Sequence, residues 1–254
     1  MRETVVITAS ADSLSGLTDA LRAIPVAVEE HPLLSFEEPA DWTPVDSALK
    51  HWTHYGAVAF TSPRAAAAVA GRAQRGGMPR MQAERAPVIW AGGSATAAAL
   101  GRAMGAVLAP PEPETARLGA AAALAEAMLA GGVVGPVLFP CGEMRREELP
   151  ERLRRQGIVV DEVVCYRTVL SGDSEARAAA AKGTVLVVTS PRVAALLARA
   201  CPPRDRPRLV AVGPTTAAAA REAGWLPAGV ASAPNVAAVV TTVRDLIASH
   251  RAGG

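Results

Sequence analysis

The sequence is poor in cysteine, in aromatic residues and in lysine, and it holds no long hydrophobic run. Its three cysteines, Cys141, Cys165 and Cys201, lie far apart and give neither an even disulfide set nor a CxxC pair, which excludes a disulfide scaffold and a cysteine-built zinc module. Alanine-rich stretches lift the mean hydropathy to +0.21, yet no apolar run approaches the ~20 residues that cross a bilayer. The opening Met1-Arg2-Glu3-Thr4, followed by Val5-Val6-Ile7, reads as a strand and not as the apolar region of a signal peptide. A net charge of +2 exerts no strong pull toward nucleic acid or anionic lipid. Neither GxGxxG nor GxxxxGK[ST] occurs, so dinucleotide and P-loop chemistry lose their main support. A reduced, cytoplasmic α/β protein with no membrane and no nucleic-acid partner is the expectation that remains.

What is present is alanine, arginine and a regular alternation. Of the 26 basic residues only Lys50 and Lys182 are lysine; the rest are arginine, whose planar fork suits carboxylate and phosphate, although composition alone accounts for much of the bias. β-rich runs at 5–8, 26–28, 57–61, 87–90, 137–139, 158–160, 184–189, 209–212 and 230–232 alternate with helical patterns near 13–23, 44–53, 64–75, 94–104, 115–130, 147–155, 191–200, 214–223 and 235–249. Such alternation predicts βαβ units and parallel sheets. Gly105, Gly157 and Gly224 mark helix exits.

The chain repeats itself. Thr61-Ser62-Pro63-Arg64 and its alanine-rich helix return 128 residues later as Thr189-Ser190-Pro191-Arg192, and Gly93-Ser94-Ala95-Thr96 returns 120 residues later as Gly213-Pro214-Thr215-Thr216. A fainter match pairs Leu17, Leu21, Arg22, Val26, Val28 and Glu30 with Leu149, Leu153, Arg154, Ile158, Val160 and Glu162, all 132 residues on. Its order is reversed relative to the other two. Two parallel-sheet lobes follow, one discontinuous (1–35 with 168–254) and one inserted (36–167), with extended crossings near 33–37 and 163–170 forming a two-stranded hinge. If the third match is chance, a simple tandem results instead.

In open α/β sheets ligands bind beyond the carboxyl ends of strands. Thr-Ser-Pro-Arg follows a strand in each lobe and opens a helix, with Ser placed as N-cap and Pro at the first helical position. The turns at Ser94–Thr96 and at Gly213, Thr215 and Thr216 do likewise. Free N–H groups at a positive helix end make an anion site, so Thr61, Ser62, Ser94, Thr96, Ser190, Gly213, Thr215 and Thr216 are candidate binding residues; each is also explained by plain capping. The acid–base run 145–155, with Glu148–Arg152 and Glu151–Arg155 at i,i+4 spacing, reads as a solvated face. His51 and His54 read as surface residues, and Cys141, lacking a base, as a small buried one. Tyr166, one of two tyrosines, falls on the second crossing; a phenol keeps its proton at neutral pH and can donate it, though a packing role suits it equally.

The Thr-Ser-Pro-Arg turns, Gly213-Pro214-Thr215-Thr216-Ala217, Glu162-Val163-Val164-Cys165-Tyr166-Arg167-Thr168 after Gly157, and Val230-Ala231-Ser232-Ala233-Pro234-Asn235 together resemble the uroporphyrinogen-III synthases across nearly the whole chain. The resemblance implies two flavodoxin-like lobes joined by a two-stranded ladder. It also implies a monomer without metal or organic cofactor, acting on the linear tetrapyrrole hydroxymethylbilane. That substrate, with eight carboxylates, is cyclised with loss of water and inversion of ring D through an azafulvene and a spiro intermediate. Left alone, it closes without inversion, so the enzyme acts mainly by orientation. The resemblance makes Tyr166 the proton donor and places Thr61, Ser62, Thr96, Ser190 and Thr216 at the substrate. Thr8-Ala9-Ser10 lacks an arginine common in the family, and so does Pro140-Cys141-Gly142-Glu143, where Arg145 or Arg146 stands in. These departures keep open an alternative, a non-catalytic two-lobed binder of a small polyanion.

Overall fold

The computed structural model describes residues 3–10, 13–76, 86–104 and 107–252. In chain order its strands are β1 (Thr4–Ile7), β2 (Ala27–Glu30), β3 (Leu34–Glu37), β4 (Ala57–Phe60), β5 (Val88–Ala91), β6 (Val107–Leu108), β7 (Val137–Gly142), β8 (Val160–Leu170), β9 (Val185–Val188), β10 (Arg208–Ala211) and β11 (Gly229–Val230). The helices are α1 (Leu17–Arg22), α2 (Thr43–Lys50), α3 (Pro63–Arg75), α4 (Ser94–Met104), α5 (Glu112–Leu118), α6 (Ala120–Ala130), α7 (Glu148–Arg155), α8 (Asp173–Lys182), α9 (Pro191–Ala200), α10 (Pro214–Glu222) and α11 (Val236–Ala252). By contact the chain divides into two units, Met1–Ser35 with Val169–Gly254, and Phe36–Thr168.

In the first unit the sheet runs β2-β1-β9-β10-β11, all parallel. Val185–Val188 shows why: four apolar residues in a row, each fully buried, suit a strand covered on both faces. Val6, Leu186, Val188, Leu209 and Ala211 face one core with α8, α9 and α10; Val5, Ile7, Val185, Val187 and Val210 face the other with α1 and α11. Arg206 fastens the far ends of α9 and α10, donating to the carbonyls of Ala198, Cys201 and Gly224 while lying over the Trp225 ring.

The second unit's sheet runs β3-β8-β7-β4-β5-β6, with β4, β5, β6, β7 and β8 parallel to their neighbours in that set. Val58, Phe60, Ile89, Leu138, Val163 and Cys165 line one core with α2, α3 and α4. Ala57, Trp90, Val137, Phe139 and Val160 line the other with α6 and α7.

The α/β class with parallel sheets is as the alternation predicts, and four details differ. The single helix expected over 115–130 is two, because Gly119 adopts φ 85°, ψ 153°, a conformation open essentially to glycine alone. The alternation predicts neither helix α8 nor the two-residue β6. The separate strand and crossing expected around 158–170 form one long strand, β8. Gly157 and Gly224 do sit at helix exits with φ near +75°, whereas Gly105 lies outside the described residues.

Candidate active site

Strands β4 and β7 are neighbours, but the chain leaves them in opposite directions: β4 continues through α3 on one face of the sheet and β7 through α7 on the other. A crevice opens where such connections diverge, beyond the carboxyl ends of the strands. Here it holds a cavity of about 260 Å³ whose lining includes Thr61 and Ser62 after β4, Gly142 at the end of β7, Arg145 and Arg146 beyond it, and Tyr166 on β8. Ala120 and Ala121, the first residues of α6, complete one wall. The first turn of a helix has N–H groups without helical acceptors, and the start of α6 stands at this wall.

Ser62 shapes its turn through its side chain. Its Oγ accepts from the Arg64 N–H at 3.2 Å, capping α3, and also accepts from the Tyr166 hydroxyl at 3.4 Å. Tyr166 owes its direction to an irregularity in the ladder. Cys141 pairs with Val164 and Gly142 with Tyr166, leaving Cys165 as an extra residue in β8. Strict alternation would send Val163 and Cys165 to one face and Tyr166 to the other; with the bulge, Tyr166 packs against the same core as Cys165. The Phe36 ring meets the phenol edge-on at 6.0 Å between centroids, and the Arg64 guanidinium lies 3.5 Å over Phe36.

The two arginines of the turn are not equivalent. Arg145 is paired with Glu162, through Nε, and with Glu147 at 3.1 Å. Glu162 also takes Arg154 at 2.6 Å. Burial by itself would raise the Glu162 carboxyl, but the hydrogen bonds from Arg145 and Arg154 outweigh it and hold the group below the ordinary carboxylate range. Arg146 is exposed and makes no ion pair among the described residues, so it is the member of the pair whose charge is available. The spacing of the sequence gives no way to tell them apart, because Glu162 reaches Arg145 from a strand 17 residues on.

Cys141 also lines the cavity, yet burial pushes its thiol up to about 12, and that of Cys165 likewise. Neither is a nucleophile at neutral pH. In the folded protein Cys141 and Cys165 therefore stay unreactive toward a thiol reagent near neutral pH and react fully in denaturant; rapid native labelling of either would contradict their assignment as packing residues.

The other predicted residues take their places at strand ends. Ser94 is exposed and Thr96 is 4% exposed at the β5–α4 turn, outside the lining of this cavity. In the first unit Ser190 occupies the N-cap position of α9 without a capping bond from its side chain, unlike Ser62. Gly213 precedes α10 in extended conformation, Thr215 is exposed, and the buried Thr216 donates to the Thr189 carbonyl at 3.3 Å. That bond ties the first unit's two turns together. Gly142, Phe36, Arg146 as the unpaired arginine, and the start of α6 are site features that the sequence reading did not single out; a glycine within a strand was the one available signal.

A family model for uroporphyrinogen-III synthase HemD matches residues 15–241. Among solved structures, a triply substituted uroporphyrinogen III synthase from Thermus thermophilus is similar with a TM-score of 0.63 at 14% identity, over 97% of this chain and 99% of that one. The uroporphyrinogen-III synthetase of Helicobacter pylori gives a TM-score of 0.56 at 20% identity, over 97% of this chain and 100% of the other. No curated protein matches the sequence. The structural likenesses speak to the fold, and the family model, which takes in both units from just before α1 into α11, speaks to descent: the chain belongs to the uroporphyrinogen-III synthase family.

Proposed function

We propose that the crevice between β4 and β7 is where this chain carries out its family's reaction, with Tyr166 as the proton donor. As a uroporphyrinogen-III synthase the chain is a lyase of haem biosynthesis, converting hydroxymethylbilane to uroporphyrinogen III. The observation that carries the site assignment is the Tyr166 phenol, aimed by a bulge into a cavity whose remaining donors are a capped helix start, the first turn of α6 and Arg146.

In this reading the Tyr166 hydroxyl gives its proton to the hydroxyl of the substrate's terminal hydroxymethyl group. The C–O bond breaks and water departs, leaving a cationic azafulvene carbon. The substituted carbon of ring D bonds to that centre to give the spiro intermediate, whose rearrangement inverts the ring. A ring proton lost at the final closure balances the one taken by the leaving hydroxyl, and the net loss is one water. At about 260 Å³ the cavity is smaller than the roughly 300–1,000 Å³ of sites that enclose a whole ligand, so it takes one acid-bearing ring and not the macrocycle. In this reading Arg146 and the main chain at Thr61, Ser62 and the α6 start, all lining the cavity, receive that ring's carboxylates, with Arg145 held beside them by Glu162. Ser94 and Thr96, and in the first unit Ser190, Gly213, Thr215 and Thr216, are proposed as further carboxylate-binding residues, each taken within its own unit and acting mainly through main-chain donors.

The same reading takes the two units as flavodoxin-like copies. In the first, strands taken in chain order lie 2-1-3-4-5; in the second, β7 and β8 occupy the places of β1 and β2, which is that order circularly permuted. The repeats at offsets 128, 120 and 132 support the same correspondence. β3 and β8, on which the chain passes from unit to unit, are the proposed hinge. We take the protein to act as a monomer in the cytoplasm; its three free, buried cysteines suit a reducing compartment. No described helix is long and apolar enough to cross a membrane. The non-catalytic alternative is not favoured, because the family model that matches the chain across both units is that of an enzyme.

The test is to supply hydroxymethylbilane to the protein and quantify the isomers. The reading requires predominantly type III product; only type I, the product of unassisted closure, would overturn it.

A further inference from the structure

Gly142 is a glycine without a backbone reason to be one. It ends β7, pairs with Tyr166 across the ladder, and is absent from the glycines with positive φ, so any residue fits its main-chain conformation. Glycine inside a strand weakens the strand, and its presence marks a close approach by something else. What approaches is the phenol. A Cβ built on Gly142 would lie 2.6 Å from Tyr166 Cζ and 2.8 Å from its hydroxyl oxygen, closer than carbon tolerates.

The phenol is bounded in three directions. The bare Gly142 backbone supports its face, the Phe36 ring stands against it, and Ser62 Oγ meets the hydroxyl. The Cys165 bulge sets the register that brings Tyr166 opposite position 142; one residue out of step, the ring would meet a different partner and the other face. From this we infer that Gly142 is a positioning residue for the reaction: its lack of a side chain holds the Tyr166 hydroxyl where the leaving group must be protonated. The inference rests on Tyr166 being the proton donor.

Any side chain at 142 moves the tip of the phenol and leaves the backbone in place, since the ring is the freer partner. A displacement on the order of 1 Å at a reacting group lowers the rate about 10²-fold. Substrate binding, which depends on the carboxylate donors, is barely touched.

The kinetic test uses four proteins, wild type, Gly142→Ala, Tyr166→Phe and the double variant, each assayed for kcat and KM on hydroxymethylbilane and for its unfolding midpoint, with Tyr166→Ala, alone and combined with Gly142→Ala, as the stability control. Gly142→Ala alone should lower kcat about 10²-fold with KM little changed. In the Tyr166→Phe background, where no proton is left to misplace, it should lower kcat no further. Normal kcat in Gly142→Ala beside a slow Tyr166→Phe overturns the inference alone, and so does a full additional loss in the double variant. Unchanged kcat in Tyr166→Phe discards the proton-donor reading, and this inference with it. Should Gly142→Ala lower the unfolding midpoint of the wild type, it must lower it no further in a Tyr166→Ala background, measured against Tyr166→Ala itself, which loses packing of its own; an equal loss without the ring would place the conflict elsewhere and end the proposal.

Discussion

Tyr166→Phe is expected to slow the conversion of hydroxymethylbilane by about 10²–10⁴-fold, the range that a positioned general acid supplies. The substitution removes one oxygen and nothing else. The ring remains between Gly142 and Phe36, and the bond lost, to Ser62 at 3.4 Å, is long enough to contribute less than about 1 kcal/mol to folding. The unfolding midpoint should therefore stay close to wild type while kcat collapses. A second signature accompanies the first. As assisted closure slows, the unassisted route, which does not invert ring D, takes a growing share, so type I product should rise in proportion. Turnover equal to wild type would remove Tyr166 from the chemistry and leave it a packing residue.

Phe60→Ala should cost a large part of the stability, a loss of about 3–5 kcal/mol. Phe60 ends β4, is fully buried, and lies in the core formed with α2, α3 and α4, one residue before Thr61. Truncation loses the transfer energy of the ring and leaves a void that a close-packed core refills only in part. Against a usual total of about 5–15 kcal/mol, a loss of this size removes a large fraction of the stability. Urea unfolding measures it directly, as a lower midpoint at unchanged slope. A loss below about 1 kcal/mol would mean that the core around β4 collapses onto the gap, which close packing argues against.

How much of this was legible in the sequence follows from the range of the interactions involved. The parallel sheets were readable because a strand covered on both faces must be apolar throughout, and Val185–Val188 and Ala57–Phe60 are. The Thr-Ser-Pro-Arg turns were readable because capping is local: Ser62 and Pro63 stand directly before the helix they start. The pairs Glu148–Arg152 and Glu151–Arg155, expected from helical spacing, are present at 3.8 and 2.9 Å. The break at Gly119 was not readable, since an alanine run on its C-terminal side continues a helix equally well and only the tertiary fold demands the turn. The site's finer geometry was hidden for the same reason. Arg145 loses its availability to Glu162 on another strand, and Tyr166 changes face through a bulge of one residue; neither leaves a trace in spacing or composition.

The most direct test of where the chemistry occurs is a crystal structure of the protein with its tetrapyrrole product bound. An acid-bearing ring should lie in the crevice between β4 and β7, its carboxylates on Arg146 and the main chain around Thr61 and Ser62, with a ring edge within hydrogen-bonding reach of the Tyr166 hydroxyl. Product seated away from that crevice, with Tyr166 out of contact, would contradict the account at its centre.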